Sequence, residues 1–313
     1  MKALVTGAAG FVGSTLTRRL LGDGHEVVGI DLLTDYYDVG IKQANLAGIA
    51  PERFEFRHED LNRADLDALL AGVDVVFHQA GQPGVRKSWG EDFGVYLDAN
   101  VRATQALLGA AKRAGTLQRF VYASSSPVYG DAERFPTPES HRPQPLSPYG
   151  VTKLAAEHLC SLYAANFGVP AVSLRYFTVY GPGQRPDMAF TRFVRAAVRG
   201  VTITVYGTGE QIRDFTYVDD VVEANMRAAL GSAAPGAVFN VAGGSNIAVN
   251  GVLSLLQELN GGALDVRYVD KVAGDVWRTG GSTHAIEAAL GWKAEISLDE
   301  GLSRQLEWAR ETF

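Results

Sequence analysis

Cysteine occurs only once in the 313 residues, at Cys160. A single thiol excludes a disulfide within the chain, and the helical spacing of apolar residues in AAEHLCSLYAANF predicts that it packs in a core rather than acting as a nucleophile. The six histidines are scattered, and neither they nor the carboxylates form a metal-ligand motif. We therefore expect no metal site.

Long hydrophobic runs and blocks of basic residues are also missing. No stretch is long enough to cross a bilayer, and the amino-terminal MKALVTGAAG enters a strand and a glycine turn without the apolar core of a signal peptide. The formal net charge is −6, with no Lys/Arg patch for nucleic acid or an anionic membrane surface. We expect a cytoplasmic protein whose partner is a small metabolite.

Short runs rich in β-branched residues alternate with helical patterns in the first half of the chain. The predicted strands are KALVTG, EVVGID, RFEFRH, DVVFHQ, RFVYAS and AVSLRYF, and the predicted helices lie near residues 11–22, 64–71, 95–114 and 149–167. Such alternation produces βαβ units and a parallel sheet covered on both faces. The sequence predicts an α/β fold with a Rossmann-type doubly wound parallel sheet.

The pattern becomes less regular after residue 177 and predicts a smaller mixed α/β lobe. Its predicted elements are a strand in ITVYG and helices near 187–199, 249–258 and 298–312. The segment VDDVVEANMRAAL, followed by AVFNVAG, is typical of a helix and a buried strand that return to the first sheet. We therefore assign residues 1–177 and 216–242 to the Rossmann domain, and residues 178–215 and 243–313 to the second lobe.

The first predicted strand and helix are joined by TGAAGFVG, which contains Gly7, Gly10 and Gly13. Glycines permit a tight turn and the close approach of a pyrophosphate to backbone N–H groups at a helix N-terminus. Asp31 follows at the end of the second strand, where an acid binds the adenosine ribose. No Arg or Lys follows in DLLTD, which favours NAD over NADP. A purely structural glycine turn and a solvated acid are the alternative interpretation.

SPYGVTK places a tyrosine and a lysine on one helix face. Ser147 is a predicted N-cap and Pro148 the first helical residue, so Tyr149 and Lys153 form an i, i+4 pair. A tyrosine acts as a base near neutral pH only if its pKa falls from about 10, and that takes roughly 4 kcal/mol of stabilisation of the phenolate. Lys153 and the positive ring of an oxidised nicotinamide would supply it.

Three serines, Ser124, Ser125 and Ser126, follow the predicted strand RFVYAS. The carboxyl edge of an open α/β sheet is where ligands bind. A serine there can share the proton of a substrate hydroxyl with Tyr149, although serine-rich segments are most often only turns.

Together, TGAAGFVG, HQAG, the Asn100 of YLDANV, the serine run before VYG, and SPYGVTK resemble the extended short-chain dehydrogenase/reductase family. The resemblance continues through FTVYGPGQRPDMAF, YGTGEQIRDFTYVDD and AGDV. Members of this family act on nucleotide sugars, usually through a tightly held NAD. The resemblance therefore implies an NAD-binding Rossmann domain and a nucleotide-sugar-binding lobe.

Carried over residue by residue, the resemblance implies Tyr149 as the base, Lys153 as its electrostatic partner and Ser125 as the hydroxyl at the reacting oxygen. The implied cofactor-binding residues are Gly7, Gly10, Phe11, Val12, Gly13, Asp31, Asp60, Leu61, Ala80, Gly81, Asn100, Tyr149, Lys153 and Tyr176. The implied substrate-binding residues are Arg86, Ser125, Ser126, Thr178, Arg185, Tyr206 with Gly207, Arg213 and Asp275. Of these, Arg213 is expected at the diphosphate, Tyr206 at the base and Asp275 at the nucleotide ribose.

The serine turn also bears on the reaction. Dehydratases and decarboxylases of this family have an acid just after the serine or threonine, whereas this chain has Ser126 and Pro127. This favours simple C4 epimerisation. The segment FTVYG…RPDMAF resembles UDP-glucuronate 4-epimerases, in which Thr178, Arg185, the serines and Arg86 would face the C6 carboxylate.

Alternatives remain open at this stage. Pro127 stands where glucuronate epimerases more often have another serine. Arg185 has two interpretations, as a ligand of the substrate carboxylate or as one partner of a salt bridge within its loop. A UDP-glucose/UDP-galactose 4-epimerase, or one for the N-acetyl analogues, is the second enzyme hypothesis, and a sensor of NAD or sugar nucleotides is the non-enzyme hypothesis. The apolar faces of the helices near 95–114 and 149–167 predict a homodimer through a four-helix bundle.

Overall fold

The computed structural model describes residues 1–271 and 274–313, and within these ranges the strands agree well with the sequence patterns. They are β1 Lys2–Thr6, β2 Glu26–Asp31, β3 Phe54–His58, β4 Val75–His78, β5 Arg119–Ser125, β6 Ala171–Tyr176, β7 Thr178–Tyr180, β8 Ile203–Tyr206, β9 Ile212–Arg213, β10 Phe215–Tyr217, β11 Val238–Val241, β12 Ile247–Ala248 and β13 Val266–Val269. All six strands predicted in the first half are present.

Seven of these strands form the central sheet in the order β11-β6-β5-β4-β1-β2-β3. Every neighbouring pair in it is parallel. β11, which belongs to the segment assigned to return to the sheet, pairs with β6. The doubly wound α/β fold is therefore confirmed, and the division into two lobes stays a prediction.

Helices cover both faces of the sheet. They are α1 Phe11–Gly22, α2 Val39–Ala47, α3 Leu66–Leu69, α4 Phe93–Tyr96, α5 Ala103–Ala114, α6 Pro148–Phe167, α7 Ala189–Arg199, α8 Val218–Leu230, α9 Val249–Asn260, α10 His284–Leu290 and α11 Leu298–Thr312. Successive strand residues point to opposite faces. Val5 therefore lies on the face that packs against α1 and α8. Its neighbour Leu4 lies on the other face, which packs against α5 and α6.

Outside the central sheet, three small two-stranded sheets position the C-terminal part of the site. β7 and β10 are parallel, β8 and β13 are parallel, and β9 and β12 are antiparallel. α7, α9 and α11 pack on one another beside them. Among the described residues, no helix is long and apolar enough to span a membrane.

Two predicted helices differ from those observed. The helix expected near 64–71 is the single turn α3. The Asp65 side chain caps its start by accepting a hydrogen bond from the Ala68 N–H at 3.0 Å. Gly72, at φ 71°, follows it. The helix expected near 95–114 is α4 and α5 joined by a π-helical turn, Leu97–Arg102. Turns of this kind are frequent at functional sites, and this one carries Asn100.

Two buried charges fix α6 against the sheet. Arg175 in β6 makes a salt bridge with Glu157 in α6 at 2.6 Å, with side-chain exposures of 5% and 2%. The Ser124 hydroxyl also donates to Glu157 at 2.6 Å. Because a buried ion pair is costly unless its groups are fully hydrogen-bonded, this arrangement holds α6 in one position relative to the end of β5.

Candidate active site

The predicted site residues meet at the carboxyl edge of the central sheet. Gly7 follows β1, Asp31 ends β2, Ala80 and Gly81 follow β4, Ser125 ends β5, and Tyr176 ends β6. In the register of β5 and β6, Ser125 lies opposite Tyr176. Parallel strands bring these residues together although the sequence separates them widely.

The glycine turn leaves a backbone surface that side chains would block. Gly7 has φ 69°, and a Cβ added there would lie 2.8 Å from the Ala80 nitrogen. A Cβ on Gly13 would lie 2.1 Å from the Gly7 oxygen. Gly10 caps α1 without a side-chain hydrogen bond, so the amides of the first turn are available to an anion.

Phe11 and Val12 contribute to this turn through their backbone. The Phe11 side chain is buried in the core, and Val12 packs against the same cluster. Their predicted cofactor contact is therefore confined to main-chain N–H groups.

A pair of glycine substitutions in α1 tests this description. Gly13→Ala should lower the free energy of unfolding by at least about 2 kcal/mol, because its Cβ overlaps backbone that cannot easily move, and the purified protein should retain less NAD. Gly22→Ala is the matched control, since a Cβ there meets nothing within 4 Å, and it should leave stability unchanged or raise it by about 0.5–1 kcal/mol. Thermal unfolding and nucleotide analysis measure both effects, and equal stabilities of the two variants would contradict the interpretation.

Asp31 is held rigidly at the end of β2. Its two oxygens accept the N–H groups of Ala9 at 3.1 Å and Leu33 at 2.8 Å. A carboxylate fixed in this way still has lone pairs for ribose hydroxyls. Lys42, which the sequence analysis did not single out, donates to the Thr34 carbonyl and hydroxyl at 2.8 and 3.1 Å. It is buried and helps to fix the loop after β2.

Other predicted cofactor residues have structural partners of their own. Asp60 accepts the N–H of Asn62 at 2.9 Å, and Leu61 is buried in the core. The buried hydroxyl of Tyr176 bonds to Gln79 and Asn225 at 3.1 and 3.0 Å. The cofactor contacts predicted for these residues stay predictions.

Asn100 links the loop after β4 to α6. Its side chain accepts the Gln82 N–H at 2.7 Å and donates to the Gln82 carbonyl at 3.1 Å and the Thr152 hydroxyl at 3.0 Å. A Cβ on Gly81 would lie 2.8 Å from the Asn100 oxygen and 3.9 Å from the Lys153 nitrogen. Asn100 thus holds the loop after β4 against α6, and the cofactor contact predicted for it stays a prediction.

The tyrosine–lysine pair begins α6 as the sequence indicates. The Ser147 hydroxyl accepts the Gly150 N–H at 3.1 Å, and Pro148 is the first helical residue. Burial lowers the pKa of Lys153 to about 8, and its ammonium lies 4.5 Å from the centre of the Tyr122 ring. Ser125 lies close enough to Tyr149 to oppose part of the rise that burial causes in the pKa of that tyrosine. The three predicted catalytic side chains therefore occupy one site.

The protein alone does not make Tyr149 acidic. Burial raises its pKa, although the nearby Ser125 hydroxyl and the positive charge of Arg185 oppose that rise. The lowering expected from Lys153 and a nicotinamide therefore depends on the positively charged ring of bound NAD. The open glycine turn, the fixed Asp31 carboxylate and the buried ammonium fit that cofactor.

A cavity of about 420 Å³ is lined by side chains from both halves of the chain, from Tyr36 to Asp275. Its cationic lining residues are Arg86, Lys87, Arg192 and Arg213, and its acidic ones are Asp187 and Asp275. The surplus of positive charge suits an anionic ligand such as a nucleoside diphosphate.

At one end of this cavity, Arg86 contacts two residues from the C-terminal part of the chain. It bonds to Asp275 at 2.9 Å and lies 4.2 Å from the Tyr206 ring centre. The Tyr206 ring also faces Arg192 at 5.4 Å. Arg213 donates to the backbone oxygen of Val276 at 2.7 Å. Arg86 therefore contacts two residues expected at the nucleotide, and the carboxylate contact predicted for it stays a prediction.

At the other end, Thr178 lines the cavity and Arg185 lies close enough to Tyr149 to affect its pKa. Arg185 makes a two-point ion pair with Asp187, with Nε–O and Nη2–O distances of 3.0 and 2.8 Å. Tyr36, from the loop after β2, also lines this end. Ser126 is buried in the short turn after β5.

Sequence reasoning missed Tyr36, Lys87, Asp187 and Arg192. Asp187 stands in RPDM, beside an arginine that was singled out, so its charge was a usable signal. Tyr36 carried no such signal, because its place in the cavity depends on the path of a loop.

The comparisons with known proteins agree with this geometry. A model of the NAD dependent epimerase/dehydratase family matches residues 3–242. An uncharacterised UDP-glucose epimerase of Bacillus subtilis (strain 168), YtcB, is 43% identical over 100% of this chain and 99% of its own length. The UDP-glucuronate 4-epimerase of Thermodesulfobacterium geofontis is 36% identical over 99% of this chain and 96% of its own.

Among solved structures, the crystal structure of UDP-glucuronic acid 4-epimerase from Bacillus cereus, in complex with UDP-glucuronic acid and NAD, superposes with a TM-score of 0.96. The two sequences are 40% identical, and the match covers 100% of both chains. The relatives thus include one named for a neutral sugar and others named for an acid sugar.

Proposed function

Because the chain belongs to the NAD-dependent epimerase/dehydratase family and is an NAD-dependent UDP-sugar 4-epimerase, we propose a substrate for it. The proposed reaction is the interconversion of UDP-glucuronate and UDP-galacturonate. The observation that carries the choice of sugar is the position of Arg185. Its ion-pair partner Asp187 lines the cavity, and the positive charge of Arg185 opposes part of the rise that burial causes in the pKa of Tyr149. Both observations support a position beside the reacting sugar.

The catalytic side chains have separate tasks. Tyr149 takes the proton from O4 of the sugar and later returns it, and the nearby Ser125 hydroxyl shares that proton. Lys153 stabilises the phenolate by its charge. The chemistry that NAD supplies when bound is reversible acceptance of the C4 hydride. The 4-keto sugar turns over in the cavity and then receives the hydride on its other face.

An acid sugar needs more from the site than a neutral one. The 4-keto intermediate of UDP-glucuronate is a β-keto acid, which loses carbon dioxide when the bond between C5 and C6 stands perpendicular to the plane of the C4 carbonyl. Binding of the carboxylate by Arg185, Thr178 and Ser126 holds it in the sugar plane and suppresses that loss. Arginine suits this task because its planar guanidinium matches two carboxylate oxygens.

UDP-glucose is the second candidate substrate. Two observations favour it: Arg185 already pairs with an acid of the same loop, and the relative named for UDP-glucose is 43% identical. Pro127 points the same way, since it removes one potential hydroxyl from the serine turn.

Two substitutions separate the candidates. Arg185→Ala should lower kcat/KM for UDP-glucuronate about 10- to 100-fold, the worth of charge-assisted hydrogen bonds, and leave UDP-glucose nearly unaffected. Thr178→Asn should shift preference in the same direction. Initial rates with both substrates measure this, and an unchanged preference in both variants would show that the site does not bind a carboxylate.

We also propose a homodimer formed through α5 and α6. The apolar residues Val95, Leu97, Val151, Leu162 and Phe167 are exposed on these helices and on the segment before α5. Leu162→Asp should convert the protein to a monomer in sedimentation velocity experiments. A wild-type protein that sediments as a monomer would contradict the proposal.

A further inference from the structure

The ion pair of Arg185 and Asp187 leaves part of the guanidinium unused. Asp187 engages Nε and Nη2, which is one edge of the planar group, and within the described chain Nη1 has no hydrogen-bond partner. A guanidinium has a second edge, formed by Nη1 and Nη2, with the same spacing of donors. That edge can accept a second carboxylate without loss of the first.

Tyr36 packs beside this pair. Burial and then the charge of Asp187 raise the pKa of its hydroxyl, and its ring faces Lys87 at 4.8 Å and Arg185 at 5.8 Å. Gly84 makes room for it, since a Cβ there would lie 2.2 Å from the Tyr36 oxygen. The loop that carries Tyr36 is fixed by Lys42 through Thr34, so the tyrosine is held in place before substrate arrives.

The charges of the cluster are matched to one further anion. Although burial opposes it, the hydrogen bonds and charge of Arg185 keep the pKa of Asp187 below its ordinary value, so Asp187 is ionised at neutral pH. Arg185 and Lys87 then leave one uncompensated positive charge. A C6 carboxylate neutralises it, whereas a C6 hydroxyl does not.

We propose that Asp187 and Tyr36 are positioning residues that hold Arg185 in a preassembled clamp and present its free edge to the C6 carboxylate of an acid sugar. This inference rests on the proposed function. It assigns the source of the preference to two residues that need not touch the substrate carboxylate. The same ion pair also defines the opposite role for Asp187, in which its carboxylate competes with the substrate carboxylate for Arg185.

The test uses full-length, NAD-loaded protein with Asp187→Asn, which keeps the shape and removes the charge. We expect KM for UDP-glucuronate to rise about tenfold, KM for UDP-glucose to stay unchanged, and more turnovers to end in carbon dioxide loss. In that side reaction the C5–C6 bond breaks, its electrons form an enolate at C4, and C5 takes a proton from water. The products are a 4-keto pentose nucleotide and bound NADH, seen by NMR and ultraviolet absorbance.

Two further variants complete the experiment. Asp35→Asn is the matched control, because it removes an equal charge from the exposed part of the loop that carries Tyr36. It should leave KM unchanged for both substrates. Tyr36→Phe should raise KM for UDP-glucuronate in the same direction as Asp187→Asn, and it carries the test if that variant fails to fold.

The outcomes distinguish the hypotheses. A lower KM for UDP-glucuronate in Asp187→Asn would identify Asp187 as a competitor, and parallel losses with both substrates would make it a structural loop residue; either result overturns the clamp. If the wild-type enzyme prefers UDP-glucuronate and the variants keep that preference, the clamp is wrong and the proposed substrate stands. If the wild-type enzyme accepts only UDP-glucose, both the proposed substrate and the clamp are wrong.

Discussion

Replacing Tyr149 by phenylalanine should lower kcat for 4-epimerisation by about 10²- to 10⁴-fold, the contribution of a positioned general base. The ring that packs edge-on against Tyr96 at 6.3 Å remains, and only the phenol hydroxyl is lost. KM for the nucleotide sugar should change little, because the residues expected at the nucleotide are unchanged. Single-turnover assays followed by NMR measure the effect.

Tyr163→Phe is the matched control for this substitution. It removes a hydroxyl from the same helix, one that accepts a hydrogen bond from Gln105 at 3.0 Å and lies far along α6 from the site. Its activity should equal that of the wild type. Comparable activity in Tyr149→Phe would show that another group takes the O4 proton.

Lys153→Met should abolish epimerisation and yet make the cofactor-free chain more stable. Burial lowers the pKa of Lys153 from 10.5 to about 8, so at neutral pH the folded chain holds a charged group that would be better solvated when unfolded. The shift corresponds to a cost on the order of 3 kcal/mol. Methionine fills similar space without a charge, and Tm should rise by several degrees when NAD is removed from both proteins.

The pH dependence of this difference provides its control. Because the folded pKa lies below the unfolded one, the cost of the protonated ammonium is complete below about pH 8. It declines as pH rises and disappears near the unfolded value of 10.5. The stability advantage of Lys153→Met should therefore be greatest at neutral pH and vanish in strong alkali. An advantage independent of pH would assign it to packing instead.

The sequence predicted the inner strands of the central sheet well because they are buried on both faces, and β3, at the edge of the sheet, was predicted although it has no fully buried residue. Buried parallel strands are continuous apolar runs, and β1 and β4 are examples. α2 was missed for the opposite reason: its only buried residue is Lys42, so no apolar stripe marks it. β13 has no fully buried residue and was missed in the same way.

The site divides along similar lines. Tyr149 and Lys153 lie one helical turn apart, so local spacing and a helix cap were enough to predict their geometry. The contact of Tyr36 with the Arg185–Asp187 pair joins residues far apart in the chain, and no local pattern encodes it. The pKa of Tyr149 was equally inaccessible, because it depends on burial and on the distance to Arg185.

The measurement that tests the account most directly is incubation of the purified protein with UDP-glucuronate and, separately, with UDP-glucose, without added reductant, and with NMR analysis of the products. We expect UDP-galacturonate from the first reaction, with little pentose nucleotide, as a clamped carboxylate requires. Conversion of UDP-glucose alone would contradict the account, and Arg185 and Thr178 would then be structural residues of a neutral-sugar epimerase.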